Sequence, residues 1–289
     1  MPEQQTIVVT GASSGFGRDT VNRFADAGWR VFATVRDSQG RNAPAARELR
    51  ARGVQVVELE VTEQASVDAA AADILARGPV DVLVNNAGAA FFGPVEGFTP
   101  ELARKQFEVN VFAPLRVNRA FLPSMRERRT GLIVYVSSIV GRLVLPFGGV
   151  YAASKWAIEA LAEATSYELR PFGIDVAIVQ PGAFSTNISE SRVGPDDTPR
   201  LAGYADVLPL AQNISTGLQQ AAAGRDSREV AEAIFGLAAM PRGTRPLRTL
   251  VPDEASVASL NALAAEVQRG TLADFNLEPL AQPYVESVA

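Results

Sequence analysis

Along most of the chain, short β-branched runs alternate with longer helical patterns rich in Ala and Arg. The runs Ile7–Thr10, Arg30–Thr34, Gln55–Leu59, Asp81–Val84, Leu132–Val136, Asp175–Val179 and Thr249–Val251 are predicted strands. They are continuously apolar rather than alternating, the pattern of parallel strands covered on both faces. Between them lie predicted helical segments such as Asp68–Arg77 and Tyr151–Leu169. Thr99-Pro100-Glu101 reads as a helix start: a hydroxyl cap, Pro in the first turn and an acid at the positive end of the dipole. The alternation predicts an α/β fold, a single doubly wound domain over residues 1–289 with a seven-stranded, mostly parallel sheet and helices on both faces. Two stretches break the rhythm. Residues 183–225 form an insertion expected to cover a site, and residues 252–289 form a C-terminal extension.

Composition narrows the chemistry. With 289 residues, 47% of them hydrophobic, the chain can bury one large core. A net charge of −5 disfavours nucleic acid as a partner, since binding a phosphate backbone needs a basic face. There is no Cys, so no disulfide framework and no thiol chemistry. There is no His either, which removes Ser-His-Asp hydrolysis, His-ligated zinc and imidazole acid–base catalysis. Any proton donor is Tyr, Lys, Asp, Glu or water, and no metal is expected. The N-terminus lacks a secretory pattern, and no apolar stretch approaches the ~20 residues that span a bilayer. A soluble, cytoplasmic protein with a small-molecule substrate and no membrane partner is expected.

Thr10-Gly11-Ala12-Ser13-Ser14-Gly15-Phe16-Gly17 follows the first predicted strand and opens a helix. Glycines there permit a tight turn and close approach of backbone to a pyrophosphate, at a helix end with free N–H groups. The spacing Gly-x-x-x-Gly-x-Gly resembles the short-chain dehydrogenase/reductase family, whose fold is of Rossmann type. The resemblance runs from about Thr6 to Thr186 and has further carriers: Asn85-Asn86-Ala87-Gly88, Asn110, Ser137-Ser138, Tyr151-x-x-x-Lys155, and Pro181-Gly182 with Thr186. It implies that Gly11, Ser13, Ser14, Phe16, Gly17, Glu60, Val61, Asn86, Ala87, Gly88, Tyr151, Lys155, Pro181, Gly182, Phe184 and Thr186 line a nicotinamide dinucleotide.

The second strand discriminates between cofactors. Val35 stands where the family's NAD users carry Asp, and Arg36 follows. A guanidinium there suits a 2′-phosphate through charge-assisted bidentate bonds, so NADP(H) is the expected cofactor. Ser14 occupies the family's other basic position, and Glu60 replaces the Asp usual beside the adenine.

Tyr151 and Lys155 are four residues apart and share one helix face. A free phenol titrates near ~10, and a nearby ammonium lowers that value by stabilising the phenolate. The chain holds only two Lys, Lys105 and Lys155, against 25 Arg, so an ammonium at this spacing is not background. Ser138 ends a predicted strand at the carboxyl edge of the sheet, where its hydroxyl can stabilise a carbonyl oxygen. The resemblance adds Asn110 as the holder of a water beside Lys155 in a proton relay. The expected catalytic set is Asn110, Ser138, Tyr151 and Lys155, acting in hydride exchange between a nicotinamide and a carbonyl carbon.

Leu143-Val144-Leu145-Pro146-Phe147, Phe91-Phe92 and Phe184 are candidates for an apolar substrate pocket. Phe32-Ala33-Thr34-Val35-Arg36-Asp37 and Leu145-Pro146-Phe147 resemble the hydroxysteroid- and retinol-dehydrogenase-like branch, which implies a bulky apolar ketone or secondary alcohol. The alternatives are a sugar-nucleotide epimerase or dehydratase, disfavoured by the glycine spacing, and a non-catalytic NADP-sensing protein on the same fold. The family resemblance also implies a homo-oligomer, dimer or tetramer.

Overall fold

Ile7 and Val9 face one side of the sheet and Val8 the other, and all three are fully buried. The same division holds along the other central strands, which is why they read as unbroken apolar runs. The computed structural model describes residues 4–185 and 193–282.

In chain order the main elements are β1 (Thr6–Val9), α1 (Gly15–Asp26), β2 (Arg30–Val35), α2 (Ala43–Ala51), β3 (Gln55–Glu58), α3 (Gln64–Ala76), β4 (Val82–Asn85) and α4 (Pro100–Phe107). There follow α5 (Ala113–Arg128), β5 (Gly131–Val136), α6 (Gly149–Leu169), β6 (Ile174–Pro181), α7 (Leu208–Ala222), α8 (Arg228–Ala239), β7 (Arg248–Val251) and α9 (Ala255–Asp274). The sheet order is β3-β2-β1-β4-β5-β6-β7, and every pairing is parallel. One core cluster packs the sheet against α1, α2 and α8, the other against α3, α5 and α6. Strand order reverses between β1 and β4, so a crevice opens at the carboxyl ends of these strands, where ligands bind in this architecture.

All seven expected strands are present, with ends shifted by a residue or two. β6 runs on to Pro181, whose missing N–H is tolerated at a strand end. The helix expected from Asp68 begins at Gln64, because the polar first turn carries no apolar period to announce it. At the start of α4 the Thr99 hydroxyl accepts from the Leu102 N–H at 3.2 Å, as the Thr-Pro-Glu pattern predicts. α4 and α5 are joined by a π-helical turn, Glu108–Phe112, which carries Asn110. Such turns insert one extra residue and re-aim side chains.

The insertion contributes α7, which stands over the crevice. The C-terminal extension supplies α9 and the short helical turn Glu278–Ala281. They dock against β6 and the turn after α6, Asn261 donating to Gln180 at 2.7 Å and Arg170 to the Ala281 carbonyl. No helix among the described residues is long and apolar enough to cross a membrane.

Candidate active site

The turn after β1 is stitched to the end of β4. Asn86 donates its amide to the carbonyls of Thr10 at 2.8 Å and Gly11 at 3.1 Å, and the Thr10 hydroxyl accepts from the main chain of Asn86 and Ala87. Two positions have room only for hydrogen. Gly11 sits at φ +68, and a Cβ there would meet Ala87 Cα at 2.8 Å. A Cβ at Gly17 would lie 2.5 Å from the Gly11 carbonyl oxygen. Ser14 precedes α1 in an extended conformation without capping it through its side chain, and the first turn holds no acid. The orphan N–H groups at the start of α1 therefore face the crevice with their positive potential uncancelled.

At the end of β2, Val35 is buried and Arg36 is exposed. Arg36 Nη1 lies 3.2 Å from Glu60 Oε2, while the other Glu60 oxygen accepts from the Thr62 hydroxyl at 2.8 Å and the Thr62 N–H at 3.1 Å. Burial raises the Glu60 carboxyl, but the Thr62 bonds and the Arg36 guanidinium outweigh it and hold the group below the usual carboxylate range. Asn42 donates to the Arg36 carbonyl at 2.6 Å and also lines the crevice; nothing in the local sequence pattern singled it out.

β5 delivers Ser138 to the carboxyl edge. Its hydroxyl donates weakly to the Pro181 carbonyl at 3.4 Å and accepts from the Val140 N–H at 3.3 Å. α6 begins at Gly149, so Tyr151 and Lys155 stand one turn apart near its N-terminus. The Tyr151 ring lies 5.5 Å from that of Phe92, and Lys155 Nζ is 5.8 Å from the Tyr151 ring centre. Lys155 is 6% exposed and donates to the Val136 carbonyl at 2.9 Å. Burial pushes its ammonium down to about 8, and the Glu159 carboxylate pulls it back up. Asn110 braces the site from behind: it exchanges bonds with the Ala89 main chain at 2.9 and 3.0 Å and donates to Ser154 at 3.0 Å.

These groups surround one cleft of about 760 Å³. Gly11, Ser13, Ser14 and Phe16 line one end, with Arg36, Glu60 and Val61 at the β2–β3 edge. Asn86, Ala87 and Gly88 form the floor, Ser138, Tyr151, Lys155, Pro181 and Gly182 form the far wall, and Phe184 lies edge-on to Phe16, their ring centres 5.4 Å apart. Gly17 and Asn110 are not on the wall. Gly17 packs beneath the turn, and Asn110 sits behind Gly88, where an added Cβ would be 3.5 Å from the Asn110 oxygen. Thr186 lies outside the described residues. Ser215, Leu218, Gln219 and Ala222 of α7 complete the cleft.

The apolar candidates divide. Phe92 and Leu145 line the cleft, whereas Phe91 is buried in a small cluster with Phe98 and Val150. Val144 is exposed, and Phe147 is held at φ +61 with its carbonyl bound by the Gly93 N–H at 2.7 Å. Adjacent residues on an irregular loop point opposite ways, so an apolar run there does not predict a common wall.

The cleft suits a dinucleotide: a Gly-only turn, an uncapped helix start, a guanidinium at the β2 edge and a buried ammonium lie along it in order. The short chain dehydrogenase family model matches residues 5–196. The chain is 34% identical over 250 residues to a 3-ketodihydrosphingosine reductase of Bacteroides thetaiotaomicron, covering 86% of this chain and 88% of that protein. It is 34% identical over 239 residues to estradiol 17-beta-dehydrogenase 1 of Rattus norvegicus, covering 80% and 69%. Its structure resembles an actinorhodin polyketide ketoreductase solved with NADPH, with a TM-score of 0.72 and 29% identity over 86% of this chain and 95% of that one.

Proposed function

The chain belongs to the short-chain dehydrogenase/reductase family, in its hydroxysteroid-dehydrogenase-like branch, and from that premise we propose that it is an NADP(H)-dependent oxidoreductase interconverting a carbonyl and an alcohol on a bulky apolar substrate. The observation that carries this is the wall of the cleft: Tyr151 and the buried Lys155 on one helix turn, with Ser138 on the neighbouring strand end.

In this scheme the uncapped start of α1 and the main chain of Ser13, Ser14 and Phe16 hold the diphosphate. Arg36 takes the 2′-phosphate, and Asn42 fixes its backbone. Asn86, Ala87 and Gly88 support the ribose side, and Pro181, Gly182, Phe184 and Thr186 the nicotinamide side. The chemistry supplied by bound NADP(H) is hydride exchange with the carbonyl carbon. As the carbonyl oxygen gains charge, Tyr151 gives it a proton and the Ser138 hydroxyl donates a hydrogen bond to it. The Lys155 ammonium stabilises the phenolate left behind and reaches the ribose hydroxyls with its remaining hydrogens. Both amide hydrogens of Asn110 are committed, so its part in a water relay to Lys155 falls to its oxygen atoms. In the reverse direction the same groups accept the proton of an alcohol.

Around the reacting corner the walls are apolar: Phe92, Val140, Leu145 and Leu218. They favour a hydrophobic ketone, with Ser215 and Gln219 available to a polar end. A cytoplasmic location fits the absence of Cys, and the exposed Phe112 and Trp156 fit assembly into a dimer or tetramer. The test is turnover of a panel of aldehydes, ketones and alcohols with NADPH and NADH. The scheme expects NADPH-preferring reduction of bulky apolar ketones. Tight NADPH binding without turnover across the panel favours the sensor alternative.

A further inference from the structure

One turn beyond Lys155, the same helix carries a second buried charge that the scheme above leaves without a task. Glu159 is 2% exposed, and Tyr151, Lys155 and Glu159 follow one another at four-residue intervals along one stripe of α6. Each carboxylate oxygen has a partner. Gln180 donates to Oε1 at 2.9 Å, and Arg248 Nε donates to Oε2 at 2.8 Å. Gln180 is itself fully buried and accepts from Asn261 on α9 at 2.7 Å. β6 and β7 thus meet the carboxylate directly, and α9 reaches it through Gln180. Gly141 makes room for it, since a Cβ there would lie 2.9 Å from Glu159 Cγ.

Burying a carboxylate is unfavourable unless it is paired and hydrogen-bonded, and Arg248 is shared. Its Nη2 donates to Glu163 at 2.6 Å, so one guanidinium serves two carboxylates. Arg142, from the loop after β5, adds positive charge that is felt by Glu159, Glu163 and Arg248. Lys155 sees less of this. Its surroundings are the Tyr151 ring, the Val136 carbonyl, neutral Asn110 across Gly88, and Glu159 as the charged group that bears on it. On the π-helical turn packed against α6, Glu108 is paired with Arg116 at 2.7 Å; on α4, Glu101 is paired with Arg104 at the surface.

We propose that Glu159 is a positioning residue: a fixed negative charge behind Lys155 that keeps the lysine an ammonium, held in place by Arg248 and by the Gln180–Asn261 arm from the C-terminal helix. It rests on the assignment of Tyr151 and Lys155 as the acid–base pair. It also gives the C-terminal extension a task, because α9 closes the hydrogen-bonded chain that immobilises the carboxylate. Without that charge, burial favours the neutral amine, which can neither stabilise a phenolate nor supply a third hydrogen to the ribose.

The composition allows a direct test. The chain contains only Lys105 and Lys155, so 13C-lysine labelling of the full-length protein yields two side-chain resonances, and Lys105→Arg assigns them. Glu159→Gln is expected to lower the Lys155 titration midpoint by about one unit. Glu163→Gln, which removes the other carboxylate of Arg248 a turn further away, is expected to leave it in place. Equal midpoints in wild type and Glu159→Gln, or equal shifts in both variants, would overturn the proposal. In steady-state assays the alkaline limb of kcat/KM for NADPH should move down with the midpoint in Glu159→Gln, with activity near wild type at low pH. A purely structural defect lowers the rate at every pH. If Glu159→Gln does not fold, Glu159→Gln with Glu163→Gln and Arg248→Gln removes the shared guanidinium together with both of its carboxylates, a change buried ionic groups tolerate better, and a fall in the same direction is expected. A shifted lysine midpoint in a protein that turns over no carbonyl would refute the enzyme assignment and leave the electrostatic coupling standing.

Discussion

Lys155 Nζ donates to the Val136 carbonyl oxygen at 2.9 Å, which fastens the ammonium of α6 to the end of β5, two residues before Ser138. The cation therefore holds in register the two elements that carry Tyr151 and Ser138, the proposed proton donor and carbonyl-oxygen partner. Lys155→Met should cut kcat by ~10²–10⁴-fold. Lys155→Arg should restore little of it, because a planar guanidinium does not fit a site where the lysine is 6% exposed. Recovery of more than a tenth of the wild-type rate by the Arg variant would contradict this.

Arg36 lies at the β2 edge of the cleft beside Glu60, and no acid stands at Val35 to receive a ribose 2′-hydroxyl. Arg36→Ala should weaken NADPH binding by ~10–100-fold, the worth of one charged hydrogen-bonding partner, and leave NADH nearly unchanged. Fluorescence titration with both cofactors measures the ratio. Equal losses would remove the basis for NADP(H) preference.

Gly11 combines positive φ with a 2.8 Å approach to Ala87 Cα, whereas Gly53 has φ +80 with nothing within 4 Å. Gly11→Ala should cost about 1–3 kcal/mol of stability and weaken NADPH binding, since the phosphate turn must shift. Gly53→Ala should cost about 1 kcal/mol and leave NADPH binding alone. Thermal melts with and without NADPH separate the two.

Burial has pushed Lys155 down to about 8, so the active ammonium is lost as pH rises through that value. kcat/KM for NADPH, which reports the free enzyme, should fall on an alkaline limb near pH 8. A limb at the ordinary lysine value would mean that the ammonium is not desolvated.

The fold was legible because parallel strands buried on both faces must be apolar throughout, and seven such runs stand between helices. Tyr151 and Lys155 were legible because a helical spacing of four needs no knowledge of the rest of the chain. Contacts distant in sequence were not. Arg248 meets Glu159 across 89 residues, and the Arg36–Glu60 pair and the placing of Asn42 depend on how β2 and β3 lie together. The opposite fates of Phe91 and Phe92 follow from a loop without a regular period, and the π-helical turn at Asn110 has no hydrophobic signature of its own. Gly17 and Asn110 show that motif membership does not equal contact: both lie behind the cleft wall and shape it.

The most direct test of the central claim is Tyr151→Phe, assayed for NADPH binding and for single-turnover reduction of the best ketone. Removing one hydroxyl leaves the ring against Phe92 and the Lys155–Val136 bond untouched. The expected result is a NADPH dissociation constant within about threefold of wild type and a hydride-transfer rate lowered by at least ~10³-fold. A variant that binds NADPH and still reduces the ketone at a substantial fraction of the wild-type rate would show that Tyr151 is not the proton donor.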